Sequence, residues 1–477
     1  MEQEHFPMSA VGSAGGTITL PLSSAEALRR ATALHDQGEY AEAELLLSGA
    51  LARDPGHADL LNARGVMFAQ MERHLDALWC YRDAVAANPR GSGIWTNLGN
   101  ALTKLKYLES AVSAHRRAIE LAPRDVLLHH NLGASLAEAG NHGEAALAFS
   151  RALELDPNFH KARWDRGRSY LYFGNYRQAW PDYEVRLVSG QVPARDIAGV
   201  NGPSTKWDGR PYGGQRLLLL CEQGFGDTLW VARYLSRAKA LGGELVIECQ
   251  RELIPLLAEL GVADRLIPRG EPLPETDFHA HLCSLPGLFT PDMASIPARP
   301  YLRVPAERRA KATQVLGPRD GRLRVGVVWS GNTSFKRNHE RAQPLMRFFQ
   351  AFALPGVQLY SLQKGSPEKA LEELPRGGPI IDLAPHLGDF ADTAAIVEQL
   401  DLVIMTDSAV AHLTGALGKE VWVLLGDVAH WLWLLDRGDC PWYPTMRLFR
   451  PRAEGDWDHV FDRASNELTL RTRILEM

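Results

Sequence analysis

PRGSGIWTNLGNALTKLKYLESAVSAHRRAIELAP, residues 89–123, is bracketed by two prolines 34 residues apart, and Pro55 and Pro157 continue the spacing on either side. Small residues keep the same register, at Ala31, Gly65, Gly99 and Gly133 and again at Ala43, Ala77, Ala111 and Ala145, where two antiparallel helices must approach closely. Larger apolar residues surround them. Trp95, Leu98 and Leu102 form one helical stripe, and Leu47, Tyr81 and Phe149 fill a common position on the second helix of their units. Each proline lacks the N–H that would continue a helix, and so ends it. One such hairpin cannot bury its own apolar face, so the units must stack, and about three or more are needed for a core. Four units occupy residues 24–187 with a partial fifth, which begins near His160 and keeps Gly167, Tyr170, Ala179 and Tyr183. Residues 1–23, with Pro7, Gly12, Gly15, Gly16 and Pro21, lack a helical period and read as a flexible lead-in.

A helix-turn-helix period of this length resembles the tetratricopeptide repeat. Such an α-solenoid curves, and its concave side, lined by first helices, suits an extended peptide. Asn62, Asn97, Asn100 and Asn131 lie on or near that side. Side-chain amides carry donors and an acceptor together, so they can pair with the backbone of a protein partner whatever its sequence. Solvated polar positions are the plainer reading. A solenoid touches only its neighbours, so a chain begun near Val188 is expected to fold without it.

The whole chain has 477 residues, 45% hydrophobic and 23% charged, with a formal net charge of -5. Disordered, collagenous and membrane classes are excluded by that composition, and the length accommodates about two to four domains. No basic face stands out, so nucleic acid is not an expected partner. Cys80, Cys221, Cys249, Cys283 and Cys440 are far apart and form no metal or disulfide spacing. Acids follow Met1 where a secretory signal would carry bases, and no apolar run approaches the roughly 18 residues of a membrane span. A cytoplasmic protein is expected.

Past residue 187 the period breaks. Residues 188–213 are rich in Gly, Pro and polar residues and read as a connector. Beyond them short apolar runs at Arg216–Cys221, Glu244–Ile247, Arg324–Trp329, Gln358–Leu362, Leu402–Met405 and Val421–Leu425 alternate with helical stretches, which predicts buried parallel strands of an α/β fold. The Pro-rich stretch from Pro291 to Pro318 divides them into two Rossmann-like halves, 214–318 and 319–477. Ligands of such folds sit beyond the carboxyl ends of the strands.

Three strand ends carry polar groups. The first continues Glu222-Gln223-Gly224-Phe225-Gly226-Asp227-Thr228; Asp227 fits a helix N-cap and a ligand-facing acid equally. The second continues Ser330-Gly331-Asn332-Thr333, followed by Lys336, Arg337 and Arg341, a set of donors and cations that suits a phosphate or, more plainly, a solvated basic loop. The third continues Thr406-Asp407-Ser408, with His412 one turn inside the helix, and helix N-termini attract anions. The convergence of three such ends favours a functional reading over a capped helix with a buried histidine.

These stretches, with Pro-Trp-Tyr-Pro-Thr-Met-Arg-Leu-Phe-Arg at 441–450, make nearly the whole chain resemble bacterial tetratricopeptide-fused glycosyltransferases. The second part is similar to lipopolysaccharide heptosyltransferases of GT-B fold, and the domain order resembles O-GlcNAc transferase and enzymes that modify flagellin. The resemblance implies an inverting transferase that needs a nucleotide-sugar and no metal. It makes Asp227 the base for an acceptor hydroxyl, Asp407, Ser408 and His412 the donor-holding motif, and Ser330, Asn332 and Arg341, with Lys336, the loop facing the diphosphate. The acceptor would be a protein held by the repeats. One departure stands out: His430-Trp431-Leu432-Trp433 replaces the Asp-Trp-Arg-Trp frequent in relatives. The alternatives are an inactive scaffold on a degenerate GT-B domain, and a transferase for a saccharide or lipid-linked acceptor.

Overall fold

The structure is a computed structural model and describes residues 22–190, 204–335, 337–374 and 380–476. The expected lead-in lies almost wholly outside the described residues, as do Lys336 and residues 191–203 of the connector.

The repeats form helices α1 (Ser24–Asp36), α2 (Tyr40–Leu51), α3 (Ala58–Gln70), α4 (His74–Ala87), α5 (Ser92–Lys104), α6 (Leu108–Leu121), α7 (Val126–Glu138), α8 (His142–Leu155), α9 (His160–Tyr172) and α10 (Tyr176–Tyr183). Each first helix ends on one left-handed residue, at Gly38, Glu72, Lys106, Gly140 and Gly174, again 34 apart. The N–H of the next residue then reaches five residues back, as from Tyr107 to Leu102 O at 2.9 Å, which closes the helix end. The prolines do more than stop helices. Trp95 donates to Pro89 O at 3.0 Å, His129 Nε2 lies 2.9 Å from Pro123 O, and Arg163 donates to Pro157 O at 2.7 Å, so one position per repeat ties the turn to the next helix. A Cβ on Gly65 would lie 2.6 Å from the Tyr81 ring, and one on Gly99 2.6 Å from that of His115, which explains the small residues.

By packing, the repeat run is divided: one compact unit ends at Asn141 and the other begins at His142. The second unit holds two parallel sheets. β1 (Thr205–Lys206), β2 (Arg216–Leu220), β3 (Glu244–Cys249), β4 (Arg265–Pro268) and β5 (Phe278–His281) form one, in the order β1-β5-β2-β3-β4. β6 (Leu323–Val328), β7 (Val357–Ser361), β8 (Ile380–Asp382), β9 (Leu402–Thr406), β10 (Val421–Leu424) and β11 (Met446–Phe449) form the other, in the order β11-β10-β9-β6-β7-β8. Helices α11 (Phe225–Val231), α12 (Leu235–Lys239), α13 (Ile254–Ala258), α14 (Leu285–Phe289), α15 (Ala306–Leu316), α16 (Leu345–Phe352), α17 (Phe390–Gln399), α18 (Ala409–Ala416) and α19 (Trp457–Glu476) run between and after the strands. Among the described residues, no helix is long and apolar enough to cross a membrane.

All six apolar runs are strands, with ends within two residues of those expected. Of the five strands without such a run, β1, β4, β8 and β11 are sheet edges, where short segments suffice, and β1, β4 and β8 are largely outside the core. Residues 205–212 are therefore not connector: β1 pairs with β5, and Trp207 and Tyr212 are buried.

A chain begun at Val188 would not be an intact unit, contrary to expectation. Leu171, Tyr172, Tyr176, Ala179, Trp180 and Tyr183 share one core with the α/β region. Trp180 donates to Thr290 O at 2.7 Å, and Trp442 donates to Tyr176 Oη at 3.0 Å. Arg186, fully buried, reaches both carboxylate oxygens of Glu222, at 2.8 and 3.1 Å. Deleting it would strand a buried carboxylate, a loss of several kcal/mol by general experience.

His115 fills the position held by Tyr81 and Phe149 in neighbouring repeats, buried, with both ring nitrogens unpartnered. Burial pushes it down to about 4. Its unfolded form takes a proton near pH 6.5 and its folded form only near 4, so stability is full above 6.5 and lost as pH falls toward 4. His115→Phe should therefore gain more over the wild type at pH 5 than at pH 7.5, by about 2 kcal/mol. Thermal melts at the two pH values check this; an equal difference at both contradicts it.

Candidate functional site

In the six-stranded sheet the chain runs from β6 to β7 and β8 on one side, then returns to β9 and runs to β10 and β11 on the other. The crevice of such a sheet opens at the carboxyl ends of the two central strands, here β6 and β9. These are the ends that carry Ser330–Arg341 and Asp407–His412. The five-stranded sheet reverses in the same way between β2 and β5, and Asp227 follows β2.

α11 and α18 meet at their beginnings. A Cβ on Gly226 would lie 2.8 Å from His412 Cδ2 and 3.5 Å from Ala409 Cα, so only glycine permits this approach. Asp227, the next residue, accepts the Gly224 N–H at 3.2 Å. Its carboxyl is raised to about 6, first by burial and then by the charges of Glu222 and Asp407, against the Gly224 hydrogen bond that lowers it.

His412 is buried and lies 5.0 Å from the Trp433 ring in a stacked arrangement, with Nδ1 3.1 Å from Tyr443 Oη. Burial pushes it down to about 3, so the imidazole is neutral at ordinary pH. Tyr301 donates its proton to Leu229 O at 2.7 Å, and lies 3.5 Å from Tyr443. Tyr443 Oη and His412 Nδ1 share one hydrogen bond, and His412 Nε2 lies on the side of the ring that faces Gly226.

The loop after β6 is built from inside. Gln363, past the end of β7, accepts the N–H groups of Trp329 and Ser330 at 3.1 and 3.0 Å. Asn338 donates to Ser330 Oγ at 3.0 Å, accepts from Gly331 N at 3.2 Å and from Arg341 Nε at 3.3 Å. Asn332 is exposed, and its Oδ1 accepts from Ser334 N at 3.0 Å, an Asx turn. The Arg341 guanidinium presses on Gly331, stacks over Phe335 at 4.9 Å and lies 3.8 Å from Asp407 Oδ2. Ser408 caps α18, accepting from Val410 N at 3.4 Å.

The structure thus gathers Asp227, Arg341, Asp407, Ser408 and His412, while Ser330 and Asn332 spend their oxygens on the loop itself. Asn338, Gln363 and Tyr443 escaped sequence reasoning, although Tyr443 lies within the Pro-Trp-Tyr-Pro stretch. In the repeats, Asn97 donates to Asn62 Oδ1 at 2.9 Å, so two of the four groove amides are already paired; Asn131 is half-buried and Asn100 exposed. Among the described residues no group of three or more His, Cys, Asp or Glu is placed to hold a metal ion.

A carboxylate, a neutral imidazole and a guanidinium gathered at these strand ends can take a proton at one group and support an anion at another. The raised carboxyl makes a testable cost. Asp227 holds its proton more tightly folded than unfolded, so ionising it between its ordinary pH 3.8 and 6 removes stability, and the full cost is present above pH 6. Asp227→Asn keeps an acceptor for Gly224 and should stabilise the protein at pH 8 by on the order of 1–2 kcal/mol, and less at pH 5. Denaturant titrations at both pH values measure it; a loss of stability at pH 8 would make Asp227 a structural residue.

Three segments match the tetratricopeptide repeat family, residues 28–89, 92–125 and 126–159. The chain is 30% identical to protein FlbA of Caulobacter vibrioides over 335 residues, 62% of this chain and 53% of that protein, and so spans about half the length of this relative. Among solved structures it is similar to MamA, 20% identical, with 34% of this chain and 94% of that chain covered and a TM-score of 0.32. It is also similar to YrrB, described as a tetratricopeptide protein with an unusual peptide-binding site, 24% identical, with 34% and 84% covered and a TM-score of 0.31. The first part of the chain consists of tetratricopeptide repeats, followed by an α/β region with parallel sheets.

Proposed function

We propose that this chain is a glycosyltransferase of GT-B type that moves a sugar from a nucleotide-sugar to a Ser or Thr hydroxyl of a protein held by the repeats. Repeats of this kind point to a protein or peptide partner. The observation that carries the catalytic reading is the meeting of α11 and α18 through Gly226, which packs the residue before Asp227, whose carboxyl is raised to about 6, against a neutral imidazole. Arg341 stands at the same crevice, 3.8 Å from Asp407.

In this scheme the acceptor oxygen attacks the anomeric carbon while its proton passes to the Asp227 carboxylate. The bond from that carbon to the phosphate oxygen breaks on the opposite face, and its electron pair leaves on the nucleoside diphosphate, so configuration inverts. Arg341 and the first N–H groups of α18 take up the charge that develops there. His412 stays neutral throughout and offers a ring nitrogen for a further hydrogen bond. Charge is balanced by these side chains, and the scheme calls for no metal. A flagellin is the acceptor that the sequence resemblance suggests.

A base with its carboxyl near 6 is ionised above that pH, so kcat/KM should rise through about pH 6 and level off above it. Asp227→Asn should lower turnover by about 100-fold or more with nucleotide binding retained. Steady-state rates and calorimetry on the same samples check both; unchanged turnover in this variant overturns the assignment. Donor hydrolysis without protein transfer would favour a saccharide or lipid-linked acceptor instead.

A further inference from the structure

The last repeat touches the crevice. Tyr172, at the end of α9, donates to Ala429 O at 3.1 Å, and its ring is stacked on His142 at 4.0 Å and 10°, which fixes its direction. Arg168 precedes Tyr172 by one turn on the same face of α9, so its side chain is brought beside the same loop, next to His430. The His430 ring is held by its Nδ1 accepting from Leu432 N at 3.4 Å. Burial pushes this ring down to about 4; after burial, Asp407 raises it and Arg168 and Arg341 lower it, so all three lie within electrostatic reach. Two of the three belong to the ends of β9 and β6. The loop that Tyr172 touches continues to Trp433, whose ring is stacked on His412 at 5.0 Å, so α9 brings Arg168 to the edge of the crevice that holds His412 and Arg341.

Its state is unlike that of the other arginines nearby. Arg166, two residues earlier, grips both oxygens of Asp182 at 2.6 and 3.0 Å, and Arg186 is fully paired with Glu222. Arg168 is half-buried and makes no ion pair among the described residues. A partly desolvated guanidinium is costly until an anion reaches it, and its fork of N–H groups suits a phosphate. Asp407, the acid among these three charges, already stands at Arg341, 3.8 Å away.

We propose that Arg168 binds the diphosphate of the nucleotide-sugar together with Arg341, which makes the final repeat a wall of the donor site. This rests on the donor reading above. The repeats then do two things: they hold the acceptor, and they complete the anion subsite that receives the leaving group.

Calorimetry on the full chain tests it, with UDP, GDP, ADP and CDP as probes and the matching nucleosides as phosphate-free controls. For whichever diphosphate binds, Arg168→Met should weaken binding about tenfold or more, while the matching nucleoside binds wild type and variant alike. Arg168→Lys, which keeps the charge and loses the fork, should weaken diphosphate binding by less and serves if the first variant is unstable. Equal diphosphate affinity in the wild type and both variants overturns the role of Arg168 while leaving the donor reading intact. If none of the four diphosphates binds the wild type, the donor reading fails and this proposal falls with it.

Discussion

The buried pair between Arg186 and Glu222 is the constraint on which the second unit depends. Both side chains are almost wholly out of water, and two charges are stable there only while each satisfies the other. Glu222 Oε1 also accepts the Cys283 N–H at 3.1 Å, so one carboxylate joins the chain after β2, the chain after β5 and the segment after α10. That is the reversal point of the first sheet. The loop carrying Asp227 is thereby anchored to the end of the repeats, and the Glu222 charge is one of the causes that raise the Asp227 carboxyl. Around this pair the aromatic face of α9 and α10 is buried, with Trp180 and Trp431 rings edge to face at 6.0 Å and Trp230 against Trp442 at 5.2 Å.

From that anchoring the chemistry of the crevice follows. Asp227 gains basicity by being held where water is scarce, at a cost in stability, as expected where function and stability conflict. His412 has the opposite fate under the same physics, since desolvation favours its neutral form and Tyr443 holds its Nδ1. Tyr443 is itself held by Arg233, whose guanidinium lies 4.6 Å above its ring and donates to Trp442 O at 2.8 Å. The polar partners of the site are thus set by residues buried beneath it.

Much of this was legible in the sequence because it is periodic or apolar. The proline spacing gave the repeats, and Gly226, Asp227, Asp407 and His412 stood at ends of strands that read as uninterrupted apolar runs. What stayed illegible has physical reasons. The edge strands β1, β4, β8 and β11 need no apolar run. Tyr176, Trp180 and Tyr183 keep a helical period that a free repeat would also show, so only the packing reveals that they belong to the α/β core. Asn338 and Gln363 act through single hydrogen bonds to backbone groups, which no spacing announces. Arg168 reads as a surface arginine until Tyr172 is seen to touch Ala429.

The central claim is that the two parts act together to place a sugar on a protein. Its most direct test is intact-mass measurement of a candidate acceptor such as flagellin, incubated with the full chain and a panel of nucleotide-sugars. The account predicts an added mass of one or more glycosyl residues on Ser or Thr, with release of an equal amount of nucleoside diphosphate. An acceptor that binds the repeats yet gains no mass with any donor, while no nucleoside diphosphate is released, would contradict it and leave a binding scaffold in its place.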